Sequence, residues 1–327
     1  KITSFIIDDE AVVEQPVINE EAGTIVFAVN EEVESLKFTP IIEISEGATI
    51  TPASGVAQDF SNNKKVTYTV TAEDGTVKVY TAFVEGTRKV LKYSFEDWKE
   101  GTKNDELLPK DLWAGSAAGA GILGGTLLRK ETREDGTYAA KLITFEYPNE
   151  PNSLVPKITA GSIFIGKFDM MPALQGDRLS CTKFGLDAET VSLGGKPLRF
   201  KGVYKYESGS NYLDASNYED VKPVDIKDKG QIKAVLYKVQ TGEDGKEIVL
   251  TGHDVNTSEL RVAVANIIVE DIKEYTPFNI EFEYLQEYDR TAKYKFAIIC
   301  SSSKDGDLFK GAGGSTLIVD EFEVICE

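Results

Sequence analysis

The stretch Leu198 to Tyr206, LRFKGVYKY, combines cations and aromatics at a spacing that sorts them. Side chains alternate along an extended strand, so Arg199, Lys201, Val203 and Lys205 share one face. Leu198, Phe200, Gly202, Tyr204 and Tyr206 share the other. That pairing suits a saccharide. A pyranose ring offers an apolar C–H face to an aromatic ring and hydroxyls to charged or amide groups. Trp113, in the loop-like DLWAGS, is a candidate stacking platform, with Tyr204 or Tyr206 beside it. Arg199, Lys201 and Lys205 would supply donors, and Ser302 and Lys304 of SSSKDGD would close one side. A plainer account makes both tryptophans core residues and the cations a solvated face offsetting the many acids.

Other chemistries find less support. Two carboxylates suffice for most glycosidases, and 54 acidic residues leave that route open. The strand signature E-x-D-x-x-E is absent. VDEFEVICE puts Glu321 and Glu323 on one face and Asp320 on the other. Glu96 in SFEDW and Asp320 in IVDEF suggest a structural Ca²⁺, but two carboxylates fall short of the roughly six oxygens required. Ordinary hydrogen-bonding acids at strand ends are the simpler expectation.

A lone histidine, His253 in TGHDVNT, rules out a histidine-rich metal site, and no G-x-S-x-G accompanies it. GAGILG, Gly119 to Gly124, satisfies G-x-G-x-x-G without the strand before and helix after that dinucleotide binding needs. It reads as a flexible glycine loop. GSIFIGK, Gly161 to Lys167, places Phe168 where a phosphate loop needs Ser or Thr, and its SIFI reads as strand interior. Three cysteines (Cys181, Cys300, Cys326) lack CxxC spacing and read as buried free thiols. No cofactor is implied.

The net charge of −18 excludes a general nucleic-acid binder, which needs a cationic footprint. No run approaches the roughly 20 apolar residues of a membrane-crossing helix. The opening Lys1 suggests a mature or trimmed product.

The elements that must position these residues are strands. Residues 1–87 alternate in ITSFII, GTIVFAV, KVTYTVTA and VKVYTAFVE, with Glu73 to Gly75 turning the last two into a hairpin. This pattern predicts an immunoglobulin-like β-sandwich, a spacer or stalk without a catalytic cluster. Gly86-Thr87-Arg88 marks the boundary. Residues 88–327 continue strand after strand, from YAAKLITF to STLIVDEFEV, with scarce helix signals. A larger jelly-roll β-sandwich is the simplest architecture, making the chain all-β.

The stretches KYSFEDW, AGSIFIGKFDM, PLRFKGVYKYESG and SSSKDGDLFKGAGGSTLIVDEFEV give residues from about 90 to 327 a family resemblance. The chain resembles the Putative Carbohydrate Metabolism Domain family of secreted bacterial proteins. Its first 86 residues resemble the immunoglobulin-like modules that precede such domains in surface lipoproteins. The resemblance implies a jelly roll, a carbohydrate ligand, and export by a lipoprotein signal to the cell surface or periplasm, with a lipid anchor in the precursor. It carries no catalytic pair.

These readings converge on an exported protein that captures an oligo- or polysaccharide, with roughly millimolar to micromolar affinity. A glycoside hydrolase using an Asp/Glu pair on the same scaffold is one alternative. A non-catalytic structural or adhesive surface protein is the other.

Overall fold

A computed structural model describes residues 1–152 and 155–327. Among them α-helix is confined to two four-residue turns, Ala117–Ala120 and Met171–Leu174, neither with a side-chain cap. The rest is strand and loop, as the alternating pattern requires. The chain divides into two compact units, residues 1–90 with 325–327, and residues 91–324.

In the first unit Val12–Asn19 pairs antiparallel with Thr24–Asn30, and Val66–Thr71 with Val77–Tyr93. The Glu73 to Gly75 turn is present. Ala72 N–H donates to the Thr76 carbonyl at 2.8 Å, and Gly75 sits at φ +84°, where a Cβ would be strained. Thr24–Asn30 runs parallel to Val77–Tyr93, a pairing that alternation alone does not reveal. The core is aromatic: the Phe27 and Phe60 rings meet edge-on at 5.1 Å, and Phe5 meets Tyr68 at 5.3 Å. Burying each such ring contributes about 2–3 kcal/mol.

The second unit is a sandwich of two sheets. One carries Leu128–Thr132, Tyr138–Ile143 and Thr316–Cys326, with Pro197–Glu207 joined to Thr316–Cys326 and to Ile272–Glu281. Its inward rings Phe200, Phe278 and Phe322 contact one another at 5.1–5.8 Å. The other sheet runs Leu250–Thr251, Thr182–Phe184, Ser162–Phe168, Tyr294–Ser301, Gly230–Lys238, Arg261–Val269, Glu283–Tyr284. Tyr206 Oη donates to the Ser302 carbonyl at 3.0 Å, tying the two sheets together. All three cysteines are buried and unbridged.

The second sheet matters most for function because of its register. Ser301 pairs with Ser162 on one side and Gln231 on the other; two residues earlier, Ile299 pairs with Phe164 and Lys233. Side chains two apart share a face. Ser162, Ser301 and Gln231 therefore form one row, and Phe164, Ile299 and Lys233 the next.

Candidate functional site

That face is the floor of a cleft of about 210 Å³. Phe164, Phe184, Val235 and Tyr237 of this sheet pack into an apolar cluster with Leu250 and Val255. Ala117–Ala120 forms one wall. A Cβ on Gly119 would come within 2.8 Å of the Phe168 ring, so the glycine lets the turn lie against that ring. The GAGILG segment thus serves as packing.

Two loops complete the lining, one through Arg178, Leu179 and Cys181, the other through Gly252, Val255 and Asn256. Gly252 N–H donates to the Leu179 carbonyl at 2.9 Å, and His253 Nε2 lies 2.7 Å from Asp177 Oδ1. The rim comes from Lys304, Gly306, Asp307 and Phe309. Phe309 holds φ +56°, a left-handed backbone that costs a bulky residue roughly 1–2 kcal/mol, and the Arg178 guanidinium stacks 5.0 Å from its ring centroid. Conformations of that kind cluster at functional sites.

A buried polar network anchors the rim. One carboxylate oxygen of Asp228 accepts from Ser303 Oγ at 2.6 Å, Ser315 Oγ at 2.7 Å and Ala312 N–H at 2.8 Å. Ser303 shares a hydrogen bond with Thr144, which shares another with Ser302. Burial raises the Asp228 carboxyl above its ordinary range, against the pull of these donors.

Lys233 is the electrostatic centre of the cleft. Its side chain is 6% exposed, its ammonium donates to Asn256 Oδ1 at 2.7 Å, and burial pushes its pKa down to about 8. Asp307 acts upward on it and Arg261 downward. Asp307 is open to the cleft solvent, yet the surrounding protein raises its carboxyl. Among the described residues it is the one carboxylate lining the cleft.

The structure disperses the residues expected to bind sugar. Lys304 lines the cleft. Ser302 is fully buried in the hydrogen-bond network behind it. Trp113 is 5% exposed and packed on Phe95 and Tyr93 at 5.4 and 6.2 Å, so it is a core residue with no open stacking face. Tyr206 is buried between the sheets.

Arg199, Lys201, Tyr204 and Lys205 lie on the other sheet. Arg199 pairs with Glu281 at 2.8 Å, Lys201 with Glu323 at 3.0 Å, and Lys205 stacks on Tyr275 at 4.2 Å. Tyr204 tilts against Phe278. These cations are already engaged by neighbours of their own sheet. Glu96 accepts the Tyr138 N–H, Asp320 pairs with Arg133 at 2.5 Å, and among the described residues no group of three or more His, Cys, Asp or Glu is placed to hold a metal ion.

Sequence reasoning missed Lys233, Asn256, Arg178, Asp307 and Phe309. For Lys233 a signal exists: in GQIKAVLYK it stands between Ile232 and the continuous apolar run Ala234 to Tyr237, as in a strand buried on both faces, and a lysine there is anomalous.

Residues 64–325 match the family model described as "Putative carbohydrate metabolism domain". The chain belongs to that family. Residues 2–84 match the model described as "SGBP, N-terminal". The full length of the chain, and 96% of the other, aligns with a putative glycoside hydrolase from Bacteroides thetaiotaomicron VPI-5482 at 30% identity and TM-score 0.61. A second member of this structural group, a putative glycoside hydrolase from Bacteroides vulgatus ATCC 8482, aligns over 72% of this chain and 98% of its own at 28% identity and TM-score 0.60. No curated protein matches the chain. Among the described residues no helix is long and apolar enough to cross a membrane.

Proposed function

We propose that the second unit captures a saccharide in the cleft over Ser162, Ile299 and Lys233, and that capture rather than cleavage is its role. The observation that carries this reading is the composition of the cleft. The rings of Phe168 and Phe309 line it together with amide, hydroxyl and ammonium groups from Gln231, Asn256, Ser301 and Lys233. Rings for stacking beside a few fixed donors are what a sugar requires. At about 210 Å³ the cleft lies below the roughly 300–1,000 Å³ typical of drug-sized ligands, which suits a short saccharide end over a long chain.

A hydrolase reading draws support from Asp307, whose raised carboxyl suits a general acid. Its weakness is the missing partner. Hydrolysis needs a second carboxylate about 5–9.5 Å across the sugar, and Asp307 stands alone in the described lining. Asp305 is occupied by Tyr212 Oη at 3.1 Å and by Lys304. The match of the first unit to the SGBP N-terminal model supports a surface address, with that unit as a spacer.

A glycan array followed by calorimetry tests the reading. Binding of at least one glycan, weakened about tenfold by Phe309→Ala, is the expected result. Release of reducing ends from the bound glycan, abolished by Asp307→Asn, would replace capture with hydrolysis.

A further inference from the structure

The cleft is locally cationic on a strongly acidic chain. Arg178, Lys233 and Lys304 line it against one carboxylate, Asp307, while the whole chain carries −18. These cations differ in their partners. Lys304 is satisfied by Asp305, and Arg178 lies against the Phe309 ring. Lys233, more than nine-tenths buried, has the neutral Asn256 side chain as its hydrogen-bond partner, with no carboxylate at ion-pair distance among the described residues.

Placing an ammonium in such a position is expensive. A buried charge without a counter-charge costs several kcal/mol, and proteins normally pair or neutralise it. A site built for a neutral hydroxyl would gain as much from a serine, asparagine or glutamine without that cost. The sheet supplies such groups two residues away, at Gln231 and Ser301. What an ammonium adds is a counter-charge for a guest that brings a negative one.

We propose that the saccharide held in this cleft is anionic, a pyranose bearing a carboxylate or a sulfate ester, with that anion seated on Lys233. This inference rests on the saccharide-capture reading and narrows its ligand class. The anion replaces or joins Asn256 at the Lys233 ammonium. Arg178 and Lys304 add longer-range attraction from the walls, and the ring stacks toward Phe309. Asp307 at the rim faces the sugar's hydroxyls and disfavours a second anion there.

Calorimetry on the full chain at low salt, with three matched probes, tests this. The probes are galacturonic acid oligosaccharides, the same oligosaccharides after carboxyl reduction to galactose, and sulfated galactose oligosaccharides such as those of carrageenan. Tighter binding of one anionic probe than of the reduced one, by about tenfold or more, is expected, and which one binds identifies carboxylate or sulfate. Lys233→Met should bring the anionic probe down to the level of the reduced one, with the melting temperature showing that the variant is folded. Equal binding of reduced and anionic probes, or a preference that survives in Lys233→Met, overturns the inference while sugar capture stands. Failure of every glycan, on this panel and on an array, overturns the capture reading and this inference with it.

Discussion

Lys233 Nζ donates to Asn256 Oδ1 at 2.7 Å, joining the floor of the cleft to one of its walls. The bond leaves a buried positive charge with a neutral partner, and stability should register it. The folded-state pKa is about 8 against 10.5 for an ordinary lysine. The unfolded chain therefore holds that proton more tightly, and protonation disfavours the fold at every pH below 8. Lys233→Met should be more stable than the parent by about 1–3 kcal/mol at pH 7. The gap should shrink as pH rises from 8 to 10.5. Paired denaturant titrations at pH 7 and 10 measure it, and the difference between variant and parent cancels the buried tyrosines that titrate in the same range.

The same titration should govern capture. An anionic guest needs the charged ammonium, so affinity should decline as pH climbs through about 8, where free Lys233 deprotonates. Asp307 and Arg261 are the charged groups acting on Lys233. Lys233→Met keeps both of them, so a decline that disappears in that variant belongs to the lysine. Calorimetry from pH 6 to 9.5 should show the slope in the parent and a flat profile in Lys233→Met.

Phe309 holds a left-handed backbone while presenting its ring to Arg178. Phe309→Gly should relieve roughly 1–2 kcal/mol of backbone strain while removing the ring. The expected outcome is a melting temperature at or above that of Phe309→Ala, with saccharide affinity reduced about tenfold in both. Stability lost in the glycine variant beyond that of the alanine variant would mean the conformation is not strained.

Asp228 gathers Ser303, Ser315 and Ala312 at one carboxylate oxygen. Asp228→Ala leaves two buried hydroxyls and a buried N–H without their acceptor, each worth about 1–3 kcal/mol. A loss of about 2–5 kcal/mol in urea unfolding is expected. The rim carrying Lys304 and Phe309 should loosen first, read as faster amide exchange over residues 302–315.

Lys201 and Arg199 lie on the opposite sheet in partly exposed ion pairs with Glu323 and Glu281. Such pairs contribute about 0–1 kcal/mol. Lys201→Ala and Arg199→Ala should each shift stability by less than about 1 kcal/mol and leave saccharide binding unchanged. A measurable loss of binding in either would move the site to that sheet.

The fold was legible in the sequence because alternation reports which strand face is buried, and Phe200 and Tyr206 turn inward as their spacing required. The same rule separates Arg199 and Lys201 from that buried face, although Tyr206, expected beside them at the sugar, is instead buried. The rule could not say that Glu281 and Glu323 would meet those cations, since those partners come from strands 82 and 122 residues away. Trp113 looked like a platform because DLWAGS reads as a loop. In the fold Trp113–Gly115 is a short strand on Ser162–Phe168, and that pairing buries the ring. The cleft itself depends on which three strands lie adjacent. Lys233 and Ser162 share its floor only through Tyr294–Ser301 between them, an order that no local pattern encodes.

The anchoring of the rim bears on how a guest is received. Lys304, Asp307 and Phe309 stand on a segment whose base is fastened by Asp228, Ser303 and Ser315 before anything arrives. A loop that needs no ordering surrenders little entropy on docking. On the capture proposed above, the expectation is a rigid mould: association limited by encounter, a backbone superimposable with and without sugar, and selectivity set by the shape and charge already cast into the protein.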